Sequence, residues 1–261
     1  MSATTLNNLV GDLLNGRVKV VDLTQTLSPE FPTLELPPQF GQVAAFKMER
    51  ISHYDEAGPG WYWNNFSCNE HTGTHFDAPI HWITGRDLPN NSTDTLPVQH
   101  VVGPACVIDC TAKTGANADY LLTVDDLKAW EKTHGRIPAH SWVLMRTDWS
   151  KHTMSPRYKN MNETGQHTPG PTAEAIRFLI DERNIRGFGT ETIGTDAGQA
   201  YAMDPQYPAH HYLHGAGRYG LQCLTNLDQL PATGAVIICP PLKLQRGSGS
   251  PLRVLALVAG A

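Results

Sequence analysis

One twelve-residue segment, residues 71–82, constrains most strongly what this chain can fold into and do. Its sequence is His-Thr-Gly-Thr-His-Phe-Asp-Ala-Pro-Ile-His-Trp, with three histidines and one aspartate. Two imidazoles and one carboxylate can hold a divalent cation and still leave coordination positions open for water and substrate. No other stretch of the 261 residues concentrates as many metal-ligand and acid–base groups. The segment therefore predicts a hydrolytic metal centre.

The spacing within the segment predicts an extended chain rather than a helix. On a strand, His75 and Asp77 point to the same face, and a regular strand would add His71 to that face. On a helix, residues two apart would not meet. Pro79 ends regular pairing, so the chain bends there and swings His81 back over the metal. We therefore predict His71, His75 and Asp77 as metal ligands and His81 as the acid–base group.

Two other interpretations of the segment are weaker. One isolated histidine would most simply be an ordinary surface or core residue. That explanation is weaker for this group of four residues. A non-haem iron oxygenase also uses two histidines and one carboxylate. Those sites usually take the second histidine from a distant strand, whereas His71 and His75 both lie just upstream of Asp77.

Composition limits the class of protein. The net charge is -5, with 40% hydrophobic and 17% charged residues. Mild acidity argues against non-specific nucleic-acid binding, and no basic run suggests a membrane surface. No apolar run approaches the ~18 residues of a membrane span, and the first residues do not resemble a secretory signal. We predict a cytoplasmic protein whose cysteines are reduced, because their number is odd and no Cys-x-x-Cys pair occurs.

The chain as a whole predicts one α/β domain over residues 1–261. Apolar runs predict strands at residues 18–27, 101–110, 141–147, 185–190, 220–223, 235–239 and 252–258. Helices are predicted at residues 6–14, 123–134 and 171–183, the second with Thr123 and Asp126 as a capping box and the third with Pro171 at its first position. Residues 28–60, rich in Pro and Gly, predict a long functional loop with a strand near residues 43–51. Alternating strands and helices indicate some parallel pairing.

Aromatic residues are concentrated around the metal motif. Six lie between positions 61 and 82: Trp61, Tyr62, Trp63, Phe66, Phe76 and Trp82. Flat rings stack on flat substrates, and small-molecule pockets have apolar walls with few polar groups. Phe76 alternates away from the ligands and is predicted to belong to the core. We predict that Trp61 and Trp63, with Phe31 or Phe40 of the long loop, contact a flat aromatic substrate.

At these residues the chain resembles the cyclase family of metal hydrolases, which includes bacterial kynurenine formamidase and isatin hydrolase. The family signature His-x-Gly-Thr-His-x-Asp-x-Pro-x-His is complete from His71 to His81. Residues 21–27, 187–196 and 210–227 add secondary matches. The resemblance implies a swivelling β/β/α fold with a mixed sheet or barrel-like core. It also implies a homodimer or larger homo-oligomer, and hydrolysis of an amide by a metal-bound water.

One downstream position separates the branches of the family. In the formamidase branch, a later His and a Glu complete a two-metal site, and the matching positions here look like His210 and Gln222. An amide in place of the Glu carboxylate removes one negative charge and the bridging ligand, so a second cation loses its main ligand. The resemblance is therefore greater to the single-metal isatin hydrolases and implies one Mn²⁺ per subunit, with Zn²⁺ as the alternative. His210 and Gln222 would then contact substrate or attacking water, and His211 or His214 would be alternatives to His210.

These observations together predict hydrolysis of a cyclic aromatic amide, isatin to isatinate, with His81 moving protons and Gln222 helping to hold the oxyanion. Hydrolysis of N-formylkynurenine, or of another aromatic amide or lactone, is an alternative. A non-catalytic, metal-dependent small-molecule binding protein is an alternative of a different class. Arg146 and Arg218 are candidate partners for a carboxylate product, although arginines more often form structural ion pairs.

Overall fold

The structure is a computed structural model that describes residues 3–36 and 41–260. Its helices are α1 (Ala3–Leu14), α2 (Thr111–Ala116), α3 (Val124–His134), α4 (Ala173–Arg177) and α5 (Pro208–Gly215). Its strands are β1 (Val18–Asp22), β2 (Lys47–Asp55), β3 (Gly58–Ser67), β4 (His75–Asp77), β5 (Val102–Asp109), β6 (Leu121–Leu122), β7 (Trp142–Arg146), β8 (Met161–Asn162), β9 (Gly165–Gln166), β10 (Gly170–Pro171), β11 (Gly187–Thr190), β12 (Tyr219–Gln222), β13 (Ala235–Ile238), β14 (Gly249–Pro251) and β15 (Leu255–Ala259).

A nine-stranded mixed sheet organises the chain, in the order β1-β15-β13-β5-β7-β11-β12-β4-β14. Strands β5, β7, β11 and β12 run parallel, and the strands on both sides of them pair antiparallel. β1 pairs with β15, so the first and last strands of the chain are neighbours. The predicted α/β class with a mixed sheet is confirmed. None of the helices in the described ranges is long and apolar enough to cross a bilayer.

Apolar side chains pack on both faces of the sheet. Along β5 and β7, Val107 and Leu144 belong to one buried cluster, and their neighbours Ile108 and Val143 belong to another. This alternation has the period of two residues that a strand imposes. The second cluster includes buried residues of α3, α4 and α5, so these helices cover one face of the sheet. The capping box predicted for α3 is present, and all five cysteines are free thiols.

Two details of local structure differ from the predictions. The helix predicted from Pro171 begins at Ala173, because Thr172 is the N-cap and accepts a hydrogen bond from the Ala175 N–H. Pro171 lies instead in β10, beside β6. The strand predicted near residues 43–51 is present as β2, a few residues later, whereas the following β3 was not predicted.

β2 and β3 form a two-stranded antiparallel ribbon, which we call the aromatic ribbon (residues 47–67). Almost every side chain of both strands is exposed. Neither strand packs extensively against another helix or strand of the described chain. Its exposed large hydrophobic residues are Met48, Ile51, Tyr54, Trp61, Tyr62, Trp63 and Phe66. Since an isolated hairpin is marginally stable in water, this ribbon requires further contacts.

Candidate metal centre

The metal motif is built around β4, which lies between β12 and β14. His75 and Asp77 point to one face of this strand, opposite Gln222 and Gly220 of β12. Phe76 points to the other face and packs against Trp142 and Tyr219, with ring centroids 6.1 and 5.1 Å away. The predicted core position of Phe76 is therefore correct, and strand alternation separates the two polar side chains from the core.

His71 reaches the same carboxylate by a turn, so its predicted position on a continuous strand is wrong. The chain turns at Gly73, whose φ is +69°, a conformation that glycine adopts readily. His71 Nδ1 lies 2.8 Å from Asp77 Oδ1, and His71 Nε2 lies 2.9 Å from Ser248 Oγ. His71 is therefore held between the aspartate and a serine from the C-terminal part of the chain.

The bend predicted at Pro79 is present as a single turn of 3₁₀-helix, Pro79–His81. It brings the His81 ring to 3.9 Å from the His71 ring, centroid to centroid. His81 is thus beside the metal motif, where a proton-transferring group would need to be.

Helix α5 supplies two more imidazoles. His210 Nε2 lies 3.6 Å from Asp77 Oδ2, and one turn later His214 Nε2 lies 4.0 Å from the same oxygen. Asp196 orients this end of the helix: it accepts hydrogen bonds from the backbone N–H of Ala209 at 2.7 Å and contacts His210 Nδ1 at 2.5 Å. His210 and His214 therefore both enter the centre. The ring of His211 packs against Tyr212 instead.

Gln222 lies directly against Asp77. Its Nε2 donates a short hydrogen bond to Asp77 Oδ2, and its Oε1 is buried without a partner. Gly220 leaves room for this contact, because a Cβ there would lie 2.8 Å from Gln222 Nε2 and 3.2 Å from Asp77 Oδ2. The amide thus contacts the carboxylate oxygen that His210 and His214 also approach.

The electrostatics of the centre favour one carboxylate among mostly neutral imidazoles. Burial opposes ionisation of Asp77, but His81 and His71 hold its pKa well below the usual value. Burial lowers the pKa of His75 and of His214 to about 4, and that of His81 well below its usual value. Burial also disfavours charged His210, yet the hydrogen bond to Asp196 raises its pKa. Neutral imidazoles beside an ionised carboxylate are the protonation states that metal ligands need.

The residues present fit a divalent cation. Ligand atoms of His71, Asp77 and His81 lie within 4.8 Å of one another, and so do those of Asp77, His210 and His214. His75 Nδ1 donates to the Gly73 carbonyl at 2.8 Å, which fixes the ring so that Nε2 lies 3.6 Å from Asp77 Oδ1. Such an outer hydrogen bond is typical of metal-ligating histidines. The unpartnered buried acceptors, Gln222 Oε1 and His214 Nε2, also indicate a missing donor or cation.

The tryptophan beside the centre is Trp82. Its ring lies 5.0 Å from that of His210 and 5.7 Å from that of Tyr207. Trp61 and Trp63 contact each other on the aromatic ribbon, with centroids 6.5 Å apart. Within one copy of the described chain, no ring contact or hydrogen bond joins them to the metal motif.

The other residues proposed for substrate or product also have clear positions. Phe31 is buried against Tyr158, and Phe40 lies outside the described residues. Arg146 forms ion pairs with Asp109 at 3.0 Å and Asp148 at 2.9 Å, so its role is structural. Sequence reasoning missed Ser248, which has no local signal, and Asp196, which lies at the end of the matching segment 187–196.

A buried carboxylate ringed by imidazoles, on a mixed sheet with helices on one face, defines the class of metal-dependent hydrolases. The chain belongs to the Cyclase family, which matches residues 21–197. It is 50% identical to the isatin hydrolase of Roseibium aggregatum over 100% of both chains. It is 30% identical to the kynurenine formamidase of Bacillus thuringiensis, over 90% of this chain and 95% of the relative.

Solved structures agree with this assignment. The chain is similar to isatin hydrolase A from Ralstonia solanacearum, with a TM-score of 0.97 and 64% identity over 99% of this chain and 98% of that one. It is also similar to an isatin hydrolase bound to the product analogue thioisatinate, with a TM-score of 0.97 and 50% identity over 99% of this chain and 100% of that one.

Proposed function

We propose that this protein hydrolyses the cyclic amide bond of isatin to give isatinate, with His71, His75 and Asp77 as metal ligands. The observation that carries this proposal is the contact of Gln222 with Asp77. An amide at this position matches the single-metal branch of the family rather than the two-metal formamidases. The 50% and 64% identity to isatin hydrolases, against 30% to a formamidase, supports the same choice.

Each residue of the centre has a separate role in the proposed reaction. When bound, a divalent cation polarises the amide carbonyl and lowers the pKa of water. His81, a neutral imidazole, accepts a proton from the attacking water and returns it to the leaving nitrogen. The new carbon–oxygen bond replaces the carbon–nitrogen bond, so the ring opens to a carboxylic acid and an aromatic amine, and the acid then loses its proton to solvent.

Gln222 and His210 are proposed to contact the reacting group. A glutamine amide has two N–H donors; one binds Asp77, and the other is available to the developing oxyanion. His210, fixed by Asp196, and Trp82 would contact a flat substrate. Trp61 and Trp63 stay proposed substrate contacts, and because their ribbon stands apart, they would reach the centre of a neighbouring copy.

We further propose one Mn²⁺ per subunit. Zn²⁺ is the alternative, since two histidines and a carboxylate suit both ions and zinc usually binds such sites more tightly. The exposed aromatic ribbon supports a homodimer or larger homo-oligomer. A cytoplasmic location and a single domain over residues 1–261 also stay predictions.

The test is hydrolysis of isatin by metal-stripped protein to which Mn²⁺ or Zn²⁺ is returned, with bound metal counted per chain. We expect turnover only after metal is restored, strongest with Mn²⁺, at one ion per chain. N-formylkynurenine is the control substrate. Two ions per chain together with turnover of N-formylkynurenine alone would contradict the proposal.

Arylformamidase is the second candidate function. The observation that favours it is the group formed by Asp77, His210 and His214, whose ligand atoms lie within 4.8 Å of one another without any contribution from Gln222. A second cation held there would restore the two-metal arrangement of the formamidase branch. The metal count in the same assay separates the two functions.

A further inference from the structure

A pair of arginines lies at the edge of the sheet where β11 and β12 begin. Arg186 precedes β11, and Arg218 precedes β12. Gly187 pairs with Tyr219 in parallel register, so the two arginines occupy adjacent positions on backbones ~4.8 Å apart. Gln222 lies four residues beyond Arg218, which at ~3.3 Å per residue is ~13 Å along the strand. This distance separates the pair from Gln222, although the backbone carbonyl of Arg218 lies 3.3 Å from His214 Nδ1.

Neither arginine has an ion-pair partner among the residues that the structure describes. Arg218 Nη2 donates to Asn184 Oδ1 at 2.6 Å, but its Nε is buried without an acceptor. A buried N–H without a partner costs free energy, so such groups normally have one. Most arginines outside this pair show the usual arrangement, because these six form ion pairs with acids: Arg17, Arg86, Arg146, Arg177, Arg183 and Arg253.

The described surroundings of the pair include neutral polar groups. His100 Nδ1 lies 2.8 Å from the Tyr219 hydroxyl. Burial and then the charge of Arg218 lower the pKa of Arg186. Burial lowers the pKa of His100 too, and the charges of Arg186, Arg218 and His140 lower it further. The cluster is therefore electrostatically unfavourable as it stands, and an anion would relieve the repulsion.

We propose that Arg186 and Arg218 form a binding site for a small oxyanion, a phosphate or a carboxylate. The free Nε of Arg218 beside its Nη groups presents the planar fork that binds two oxygens of such an ion. Arg186 supplies a second charge one strand away, and Tyr219 and His100 supply neutral polar groups. This site does not depend on the proposed amide hydrolysis.

The test is isothermal titration of the metal-loaded protein with inorganic phosphate and, separately, with benzoate, at constant ionic strength. We expect saturable binding that is weakened roughly tenfold or more in Arg186→Gln and in Arg218→Gln. Arg177→Gln is the matched control, because this exposed arginine pairs with Asp181 and should leave binding unchanged. Binding of an anion at the metal centre would persist in all three variants. The phosphate and benzoate arms identify which oxyanion the site prefers, and saturable binding of either that is weakened in Arg186→Gln and Arg218→Gln supports it.

The thermal midpoint of unfolding provides a check on folding. Phosphate or benzoate should raise the midpoint of the native protein and not that of the Arg186→Gln/Arg218→Gln double variant. Absence of saturable binding to the native protein, or equal weakening in Arg177→Gln, would overturn the proposal. The proposal would also be overturned if the native protein bound neither ion and the double variant dissociated into monomers. That result would mean that the arginines contact acids of a second copy.

Discussion

Asp77 is contacted on both of its oxygens by different parts of the chain. His71 Nδ1 lies against Oδ1, and Gln222 Nε2 donates to Oδ2. The second oxygen is the one that His210 and His214 approach from α5. An amide N–H therefore lies where a bridging second cation would need a negatively charged ligand. At the residue scale, the proposal of a single ion therefore depends on the side chain of Gln222.

Replacing Gln222 with Glu tests this argument directly. The variant places a second buried carboxylate beside Asp77, and two such groups repel each other unless a cation lies between them. We expect bound metal to rise from one ion to two per chain, and isatin turnover to fall ~10²-fold as the oxyanion donor is lost. Elemental analysis and initial rates measure both. Gln222→Met, which is neutral, should keep one ion; one ion in the Glu variant with unchanged turnover would contradict the argument.

His81 is the second residue whose role is open to a clean test. His81→Ala should reduce kcat by at least ~10²-fold, because the variant lacks the imidazole that is proposed to transfer the proton. Metal content should stay at the native level. His211→Ala is the matched control, since this ring packs against Tyr212 and belongs to neither group of potential ligands around Asp77. A non-catalytic binding protein would instead show no turnover in the native form and unchanged isatin affinity in the variant.

At the scale of elements, the centre depends on the fit between the Pro79–His81 turn and α5. Gly85 lies between them: a Cβ there would come within 2.1 Å of the Pro79 carbonyl oxygen and 2.8 Å of the His214 carbonyl oxygen. Both atoms belong to the backbone, which yields less easily than the end of a side chain. The small residue at this position sets the distance between His81 and the histidines of α5.

Gly85→Ala should therefore disturb both stability and catalysis. We expect the free energy of unfolding to fall by about 1–3 kcal/mol, as in other overpacked sites, and kcat to fall with it. Urea unfolding and initial rates measure the two effects. Gly115→Ala is the control, because Gly115 lies in α2 with nothing within 4 Å of its Cβ position, and alanine there should stabilise by about 0.5–1 kcal/mol. Equal behaviour of the two variants would show that the contact at Gly85 is unimportant.

The elements also show which parts of the protein local sequence can predict. The apolar runs of β5, β7, β11 and β12 are visible because both faces of these strands are buried. β3 was missed because neither of its faces is buried, so no period of two appears. Within the centre, the short-range set of His71, His75, Asp77 and His81 follows from spacing. Ser248 does not, since it lies 177 residues from the histidine that it contacts.

At the scale of the whole molecule, the aromatic ribbon is the feature that one chain leaves incomplete. Phe66 is 65% exposed, Trp63 54% and Trp61 50%. The five aromatic side chains, each about half exposed, together with Met48 and Ile51 present roughly 700 Å². The largest apolar patch on a typical monomer is ~300–600 Å², whereas one partner of a standard interface contributes ~800 Å². The ribbon therefore has the area that one side of a dimer interface needs.

The double variant Met48→Ser/Phe66→Ser tests whether the ribbon joins two copies. These residues are direct cross-strand partners, so the change removes apolar area from one site on the ribbon and leaves Trp61 and Trp63 in place. We expect sedimentation velocity to show a native dimer or larger oligomer and a dissociation constant at least ~10²-fold higher in the variant, since two buried side chains contribute about 3 kcal/mol or more. Met154→Ser, which changes a 70% exposed residue outside the ribbon, should leave assembly unchanged.

If Trp61 and Trp63 reach the centre of a neighbouring copy, KM for isatin should rise as the variant dissociates, with metal content constant. A native protein that sediments as a monomer, or a variant that stays assembled, would exclude the ribbon as the interface.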